Sequence, residues 1–286
     1  MDITSQVIQA IDGWIQSLAS QALRPALEAA GQLLFQTPAY DSMPEVQRAW
    51  ATVRVVSDAL FILAILAAGL LVMSSGAFET RYTAKLLLPR LVLAAVLSNA
   101  SLTICGGLIR LDNALVMGIL GAKPGPETWS QLMAGLSGPA VVDQVITSLV
   151  ALAAAALALL LVVVYIARDL LLLLATVLAP LALATSAIPQ VDEIARLWWR
   201  GYFAVLFLQV VQAVLISIGA QIVSHADWLG SASSGLINGL VLVTLLYLNL
   251  RLPFAAYKWA FRQPVSSHPV VRKVVLVAKA AAAAAA

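Results

Sequence analysis

The chain has 286 residues, of which 62% are hydrophobic and 11% charged, with a formal net charge of +3. Soluble domains carry roughly 25% charged residues and about half apolar ones, so an ordinary soluble domain is excluded. Basic residues scattered between hydrophobic runs exclude a dedicated nucleic-acid-binding domain. The single cysteine, Cys105, excludes an intrachain disulfide.

The composition and the lengths of the runs point to an all-α polytopic membrane protein in contact with membrane lipids. The opening residues, MDITSQ, show no basic stretch followed by an apolar core, so no cleavable signal peptide is expected. From residue 1 to 36, apolar residues recur with helical spacing. Val7, Ile11, Trp14, Ile15 and Leu18 share a face, and Gln6, Gln9, Asp12 and Gln16 lie largely away from it. This predicts an amphipathic helix, lying on the membrane or on the protein's own surface. Pro25 starts a second helical piece, and Thr37-Pro38 and Met43-Pro44 break the pattern.

A first span is expected from about Val55 to Ser74, with Asp58 near its start. A second is expected from about Leu86 to Leu108, containing Pro89, Ser98, Asn99 and Ser101 and closed by Arg110 and Asp112. Small polar side chains of this kind suit helix–helix packing. A loop is then expected from Asp112 to Asp143, rich in Gly and Pro, serving as a passive cap or a docking loop.

The stretch from Val145 to Ile188 is interrupted by one charged pair, Arg168 and Asp169. The part up to Ala167 suffices to cross a bilayer. The part from Leu170 to Ile188 either crosses again or enters and returns, with a break encouraged by Pro180. Arg168 and Asp169 are expected to neutralise each other at the inner interface, the arginine reaching towards the headgroups, rather than to conduct ions. Pro189 then opens a short helix with Asp192 and Glu193 in its first turn, an Asp192–Arg196 pair, and Trp198, Trp199 and Tyr202 at headgroup level. That helix is expected to lie flat against the membrane and brace the preceding segment. The next span, Phe203 to Val223, holds Gln209, Gln212 and Gln221; Gln209 and Gln212, with Asn249 of the last span, either line a wet passage or bond between helices. A loop with His225, Asp227 and Trp228 precedes the last span, Leu236 to Leu250, which opens on a Gly235–Gly239 pair and holds Asn238 and Asn249. A basic tail with Arg251, Lys258, Arg262, Arg272, Lys273 and Lys279 ends in a run of alanines.

Charge asymmetry chooses among topologies. Six full spans leave basic clusters on both sides in either orientation. Five spans plus a re-entrant segment at 170–188 place Arg81, Lys85, Arg90, Arg168, Arg196, Arg200 and the tail together inside. The reading is therefore an amphipathic outside region at 1–52, a transmembrane domain at 53–263, and a basic, alanine-rich inside tail at 264–286. A broken segment at membrane depth must be shielded from lipid by protein. That predicts an oligomer with residues 170–188 at a subunit interface or central cavity.

The sequence has no HExxH, GxSxG, Walker A or GxGxxG pattern. No enzymatic activity, cofactor or metal is expected. The residues expected to carry structure and assembly are Arg168, Asp169, Pro180, Trp198, Trp199, Arg200, Gly235 and Gly239.

From Tyr165 to Gln221 the order of motifs is YIAR, APLALA, RLWWRGYF and LQVVQAVLI. This resembles the TrbL-like polytopic inner-membrane subunits of type IV secretion and conjugation systems, related to the sixth VirB component. The resemblance covers about a fifth of the chain well, and it lacks the large soluble extension common in that family. It implies a non-enzymatic platform or channel, a homo-oligomeric ring and partnership with secretion ATPases and mating-pore or pilus subunits. It also implies transient contact with transported DNA or protein, and a place in the cytoplasmic membrane of a prokaryote. The competing reading is a permease subunit of a small-solute transporter.

Overall fold

The computed structural model describes residues 36–74, 80–121, 144–187, 192–224 and 235–261, with scattered positions between 13 and 33. Among the described residues, five long helices follow one another: α1 (Pro44–Ser74), α2 (Thr80–Leu120), α3 (Gln144–Ala184), α4 (Asp192–Ser224) and α5 (Gly235–Phe261). No strand occurs among the described residues. Among the described residues, four helical stretches, Pro89–Leu120, Ser148–Ala187, Asp192–Gly219 and Gly239–Lys258, are long and apolar enough to cross a membrane. The expected first span lies in α1, whose later side chains fall outside the described residues, as do His225, His268, Pro189 and the tail from Arg262.

Local signals set several boundaries. A 3-10 turn at Tyr40–Ser42 leads into α1, which begins at Pro44 with Glu45 in its first turn. Proline suits a position whose N–H has no helical partner, and the acid meets the positive end of the helix dipole. α2 stops at Leu120 because Gly121 takes φ +90°, a left-handed conformation open to glycine.

Three sequence expectations need correction. The second span does not end near Leu108: α2 continues through Arg110, Asp112 and Asn113, and the piece Leu115 to Leu120 belongs to the helix. Polar partners for Asp112 and Asn113, described below, remove the reason to stop there. The re-entrant break at Pro180 is absent, since α3 is one helix of 41 residues with Pro180 inside it. A mid-helix proline costs about 3 kcal/mol because it leaves the carbonyl four residues back, at Thr176, without its helical donor, and polar contacts from neighbouring helices offset part of that cost. Here Ser57 and Ser98 both donate to the Pro180 carbonyl at 3.0 Å. The Trp-Trp segment is not a separate flat helix either. It forms the first turns of α4, 33 residues long, because Gly201 alone costs only about 1 kcal/mol and does not break a helix.

The chain divides into two compact units, and α2, α3 and α4 each contribute to both. The first comprises residues 1–38, 110–170 and 205–256. Its core joins Ala154, Ala155, Ala158, Leu161 and Tyr165 of α3 to Ala213 and Ile216 of α4, Leu242 and Leu246 of α5, and Val116 of α2. Alanine at the contact positions lets helix axes approach closely. Ala26 and Ala30 join this core, so the second half of the N-terminal region covers its own protein. Trp14 and Leu18 are exposed, and Val7, Ile11 and Ile15 lie outside the described residues.

The second unit comprises residues 39–109, 171–204 and 257–286. Phe61, Ala94, Ala184 and Ala187 form its apolar cluster. Around it, Trp50 Nε1 donates to Ser101 at 2.9 Å, and Trp198 Nε1 donates to the Ala175 carbonyl at 3.0 Å. A side chain at Gly106 would collide with Asp41, so this approach requires glycine.

The alanine face of α3 gives a direct test. Ala158→Leu inserts three carbons at a fully buried position and should destabilise the protein by about 1–3 kcal/mol. The variant should melt earlier in detergent. Melting together with the parent would contradict the packing described.

Candidate functional site

The first unit contains a buried polar cluster inside its apolar core. Arg168 of α3 is its centre, with 4% exposure. Its guanidinium has five N–H groups and no acceptor, so each group needs an oxygen. Nε donates to the Val205 carbonyl at 3.2 Å. Nη1 donates to Thr37 Oγ1 and Asp169 Oδ1, each at 3.2 Å. Nη2 donates to Gln209 Oε1 at 2.5 Å. It also faces Asp112 Oδ2 at 3.7 Å, an ion pair too long to be a hydrogen bond.

The remaining members form a closed ring. Only an oxygen can face a guanidinium, so Gln209 must present Oε1 to Arg168. Its Nε2 then points to Asn113 Oδ1 at 3.4 Å. That fixes Asn113, whose Oδ1 accepts from the Thr37 backbone N–H at 3.0 Å and whose Nδ2 donates to the Thr37 carbonyl at 2.9 Å. Thr37 Oγ1 closes the ring by donating to Gln209 Oε1 at 2.6 Å. One asparagine side chain thus reads both backbone groups of Thr37, as a strand neighbour would. The segment at 36–39 is not helical, so side chains supply the partners that secondary structure would otherwise give.

The same unit has a second polar contact. Gln212, one turn beyond Gln209 on α4, donates through Nε2 to the Asn249 carbonyl of α5 at 3.2 Å. Gln209, Gln212 and Asn249 are all buried; the Gln209 and Gln212 side chains bond between elements, the second of the two roles expected, whereas Asn249 Nδ2 donates to the Leu245 carbonyl of its own helix at 3.0 Å. In the first unit as described, Tyr165 Oη, Gln212 Oε1, Asn249 Oδ1 and both Asp112 carboxylate oxygens are buried without a hydrogen-bond donor. Four of the five are acceptors only, and the fifth, the Tyr165 hydroxyl, can also donate.

Of the sequence-selected residues, Arg168 and Asp169 do pair. Arg168 does not reach towards an interface, however. It turns inward, because four acceptors and a second carboxylate await it there. Pro180 belongs to the second unit and serves through its carbonyl. Trp198 and Trp199, also in that unit, pack edge to face at 4.9 Å, with Trp198 stacked on Tyr202 and Trp199 on Phe203. Arg200 is exposed. The expected Asp192–Arg196 pair forms at 2.6 Å, and Arg90 joins it at 2.9 Å. Gly239 is buried in α5, and Gly235 opens that helix with its surroundings outside the described residues. Sequence reasoning missed Thr37, Asp112 and Asn113. Thr37 had read as a pattern breaker and Asp112 as a span end.

Removing the cation at the centre should be costly. Arg168→Met leaves the buried Asp112 and the partly buried Asp169 without it, which should cost about 3–5 kcal/mol. The check is denaturation in mixed micelles, and a loss below about 1 kcal/mol would contradict the buried network.

The geometry is that of a helical membrane protein whose interior polar atoms are mostly spent on one another. A search of curated proteins and one of solved structures found no match. A family model described as "TrbL/VirB6 plasmid conjugal transfer like protein" matches residues 1–286. The chain is therefore a multi-pass member of the TrbL/VirB6 conjugal transfer family, a component of a conjugal transfer or type IV secretion system.

Proposed function

We propose that this protein is a non-enzymatic platform or channel subunit of a conjugal transfer apparatus, assembled as a homo-oligomer in the cytoplasmic membrane. The observation that carries the reading is the length of the apolar surface on α3. Its 41 residues span about 60 Å at 1.5 Å per residue, whereas the hydrocarbon core is about 30 Å thick. A tilt of 40° still leaves a rise of roughly 46 Å. Exposed apolar residues run along the whole helix. Leu149, Leu159 and Val163 precede Arg168, and Leu170, Leu171 and Leu174 follow it. Lipid covers about half of that length, and neighbouring protein is the natural cover for the rest. A self-contained permease gives no reason for such a surface.

Five helices, each crossing once, place the termini on opposite sides. With the N-terminus outside, the basic residues at the start of α2, the start of α4 and the end of α5 gather inside, in agreement with the positive-inside rule. The re-entrant segment is not needed for this count, because residues 170–184 extend α3. On this reading energy for transfer comes from partner ATPases, and substrate DNA or protein passes near the assembly.

Purification in mild detergent tests the reading. The expected result is a particle several times the 30.1 kDa chain mass that brings down secretion ATPases, with conjugal transfer lost on deletion of the gene. A lone monomer co-purifying with a periplasmic binding protein would overturn it in favour of a solute permease.

A further inference from the structure

We infer that the seat of Thr37 in the Arg168 cluster is a releasable latch, not a permanent pin. Thr37 is 2% exposed, yet no regular secondary structure holds it. Four side-chain hydrogen bonds do so, from Asn113, Gln209 and Arg168. The chain leaves the first unit directly after Pro38, so these bonds hold the end of that unit's N-terminal piece.

The argument for release is that two of the three residues gripping Thr37, Arg168 and Gln209, have a second partner in reserve. Asp112 sits 3.7 Å from Arg168 Nη2, with 1% side-chain exposure and both oxygens without a hydrogen-bond donor among the described residues. A permanent pin gives no reason for a buried carboxylate held just out of bonding range, because unmet buried acceptors are destabilising. When Thr37 withdraws, the guanidinium loses one hydroxyl acceptor and can close on Asp112 as a fork on a carboxylate. Gln209 Nε2 already faces Asn113 Oδ1 at 3.4 Å and can shorten that bond. The emptied seat then keeps partners for Arg168 and Gln209, while Nδ2 of the part-buried Asn113 and the Thr37 backbone groups go to water. Two arrangements that exchange one acceptor set for another are what a two-state element requires. The charged groups facing one another here are Asp112 of α2 and Arg168 and Asp169 of α3. From α4 and the 36–38 segment come only the neutral groups of Val205, Gln209 and Thr37.

The test locks the seat. Thr37→Cys and Asn113→Cys, in a Cys105→Ala background, are joined by oxidation or a short bismaleimide in donor cells. The transfer readout rests on the proposed function. If the latch opens during transfer, cross-linked donors should transfer about tenfold less or worse, and reduction of the disulfide should restore the rate. Full cross-linking with unchanged transfer would overturn the latch. A second measurement stands apart from transfer. Thr37→Cys alone should react with a small maleimide only when the seat opens, and adding Asp112→Asn, which weakens the reserve partner, should slow that reaction about fivefold or more. Equal labelling rates would overturn the inference even if the cysteine pair failed to assemble. Normal transfer after deletion of the gene would instead remove the proposed function and leave the labelling result standing.

Discussion

A guanidinium inside an apolar helical unit is the constraint from which the first unit follows. Transfer of an isolated charge out of water costs far more than any single contact returns, so it persists only where opposite charge and hydrogen-bonding oxygens surround it. Arg168 meets that condition with two carboxylates, an amide, a hydroxyl and a backbone carbonyl. These come from α2, α3, α4 and the segment before α1. Their register relative to one another is constrained because a shift of one residue on α2, α4 or the segment before α1 would take away that element's partner for the charge. The surrounding alanines specify distance, and the polar cluster specifies alignment.

The second unit solves a related problem with neutral groups. Pro180 deprives α3 of one backbone donor, yet the helix continues. Ser57 and Ser98, both fully buried, bring α1 and α2 onto the Pro180 carbonyl. Trp198 caps the Ala175 carbonyl of the same helix from α4. Helix α3 is thus held on several sides where proline weakens it. Its apolar surface is longer than a bilayer is thick, and in the proposed assembly neighbouring protein takes up the excess.

Much of the helical content was legible because runs of about twenty apolar residues have few other uses. The Asp192–Arg196 pair was legible because four residues bring two side chains together on one helix face. Where helices end was harder to read. Asp112 marked a span end under the rule that charges leave the membrane, but its partner lies 56 positions later in the chain and is invisible to local reasoning. Pro180 read as a break for the same reason, since the two serines that support it come from distant helices. Thr37 and Asn113 carry no signal of their own. An asparagine that grips a backbone is defined by what faces it, and that is set by tertiary packing.

The central claim is that Thr37, Asn113, Gln209 and Arg168 act as one cooperative network. A double-mutant cycle on Thr37→Val and Gln209→Leu, read by denaturation in mixed micelles, measures this most directly. The account predicts a coupling energy of about 1 kcal/mol or more between two residues that share a hydrogen bond and a common arginine. Losses that add to within about 0.3 kcal/mol would contradict it.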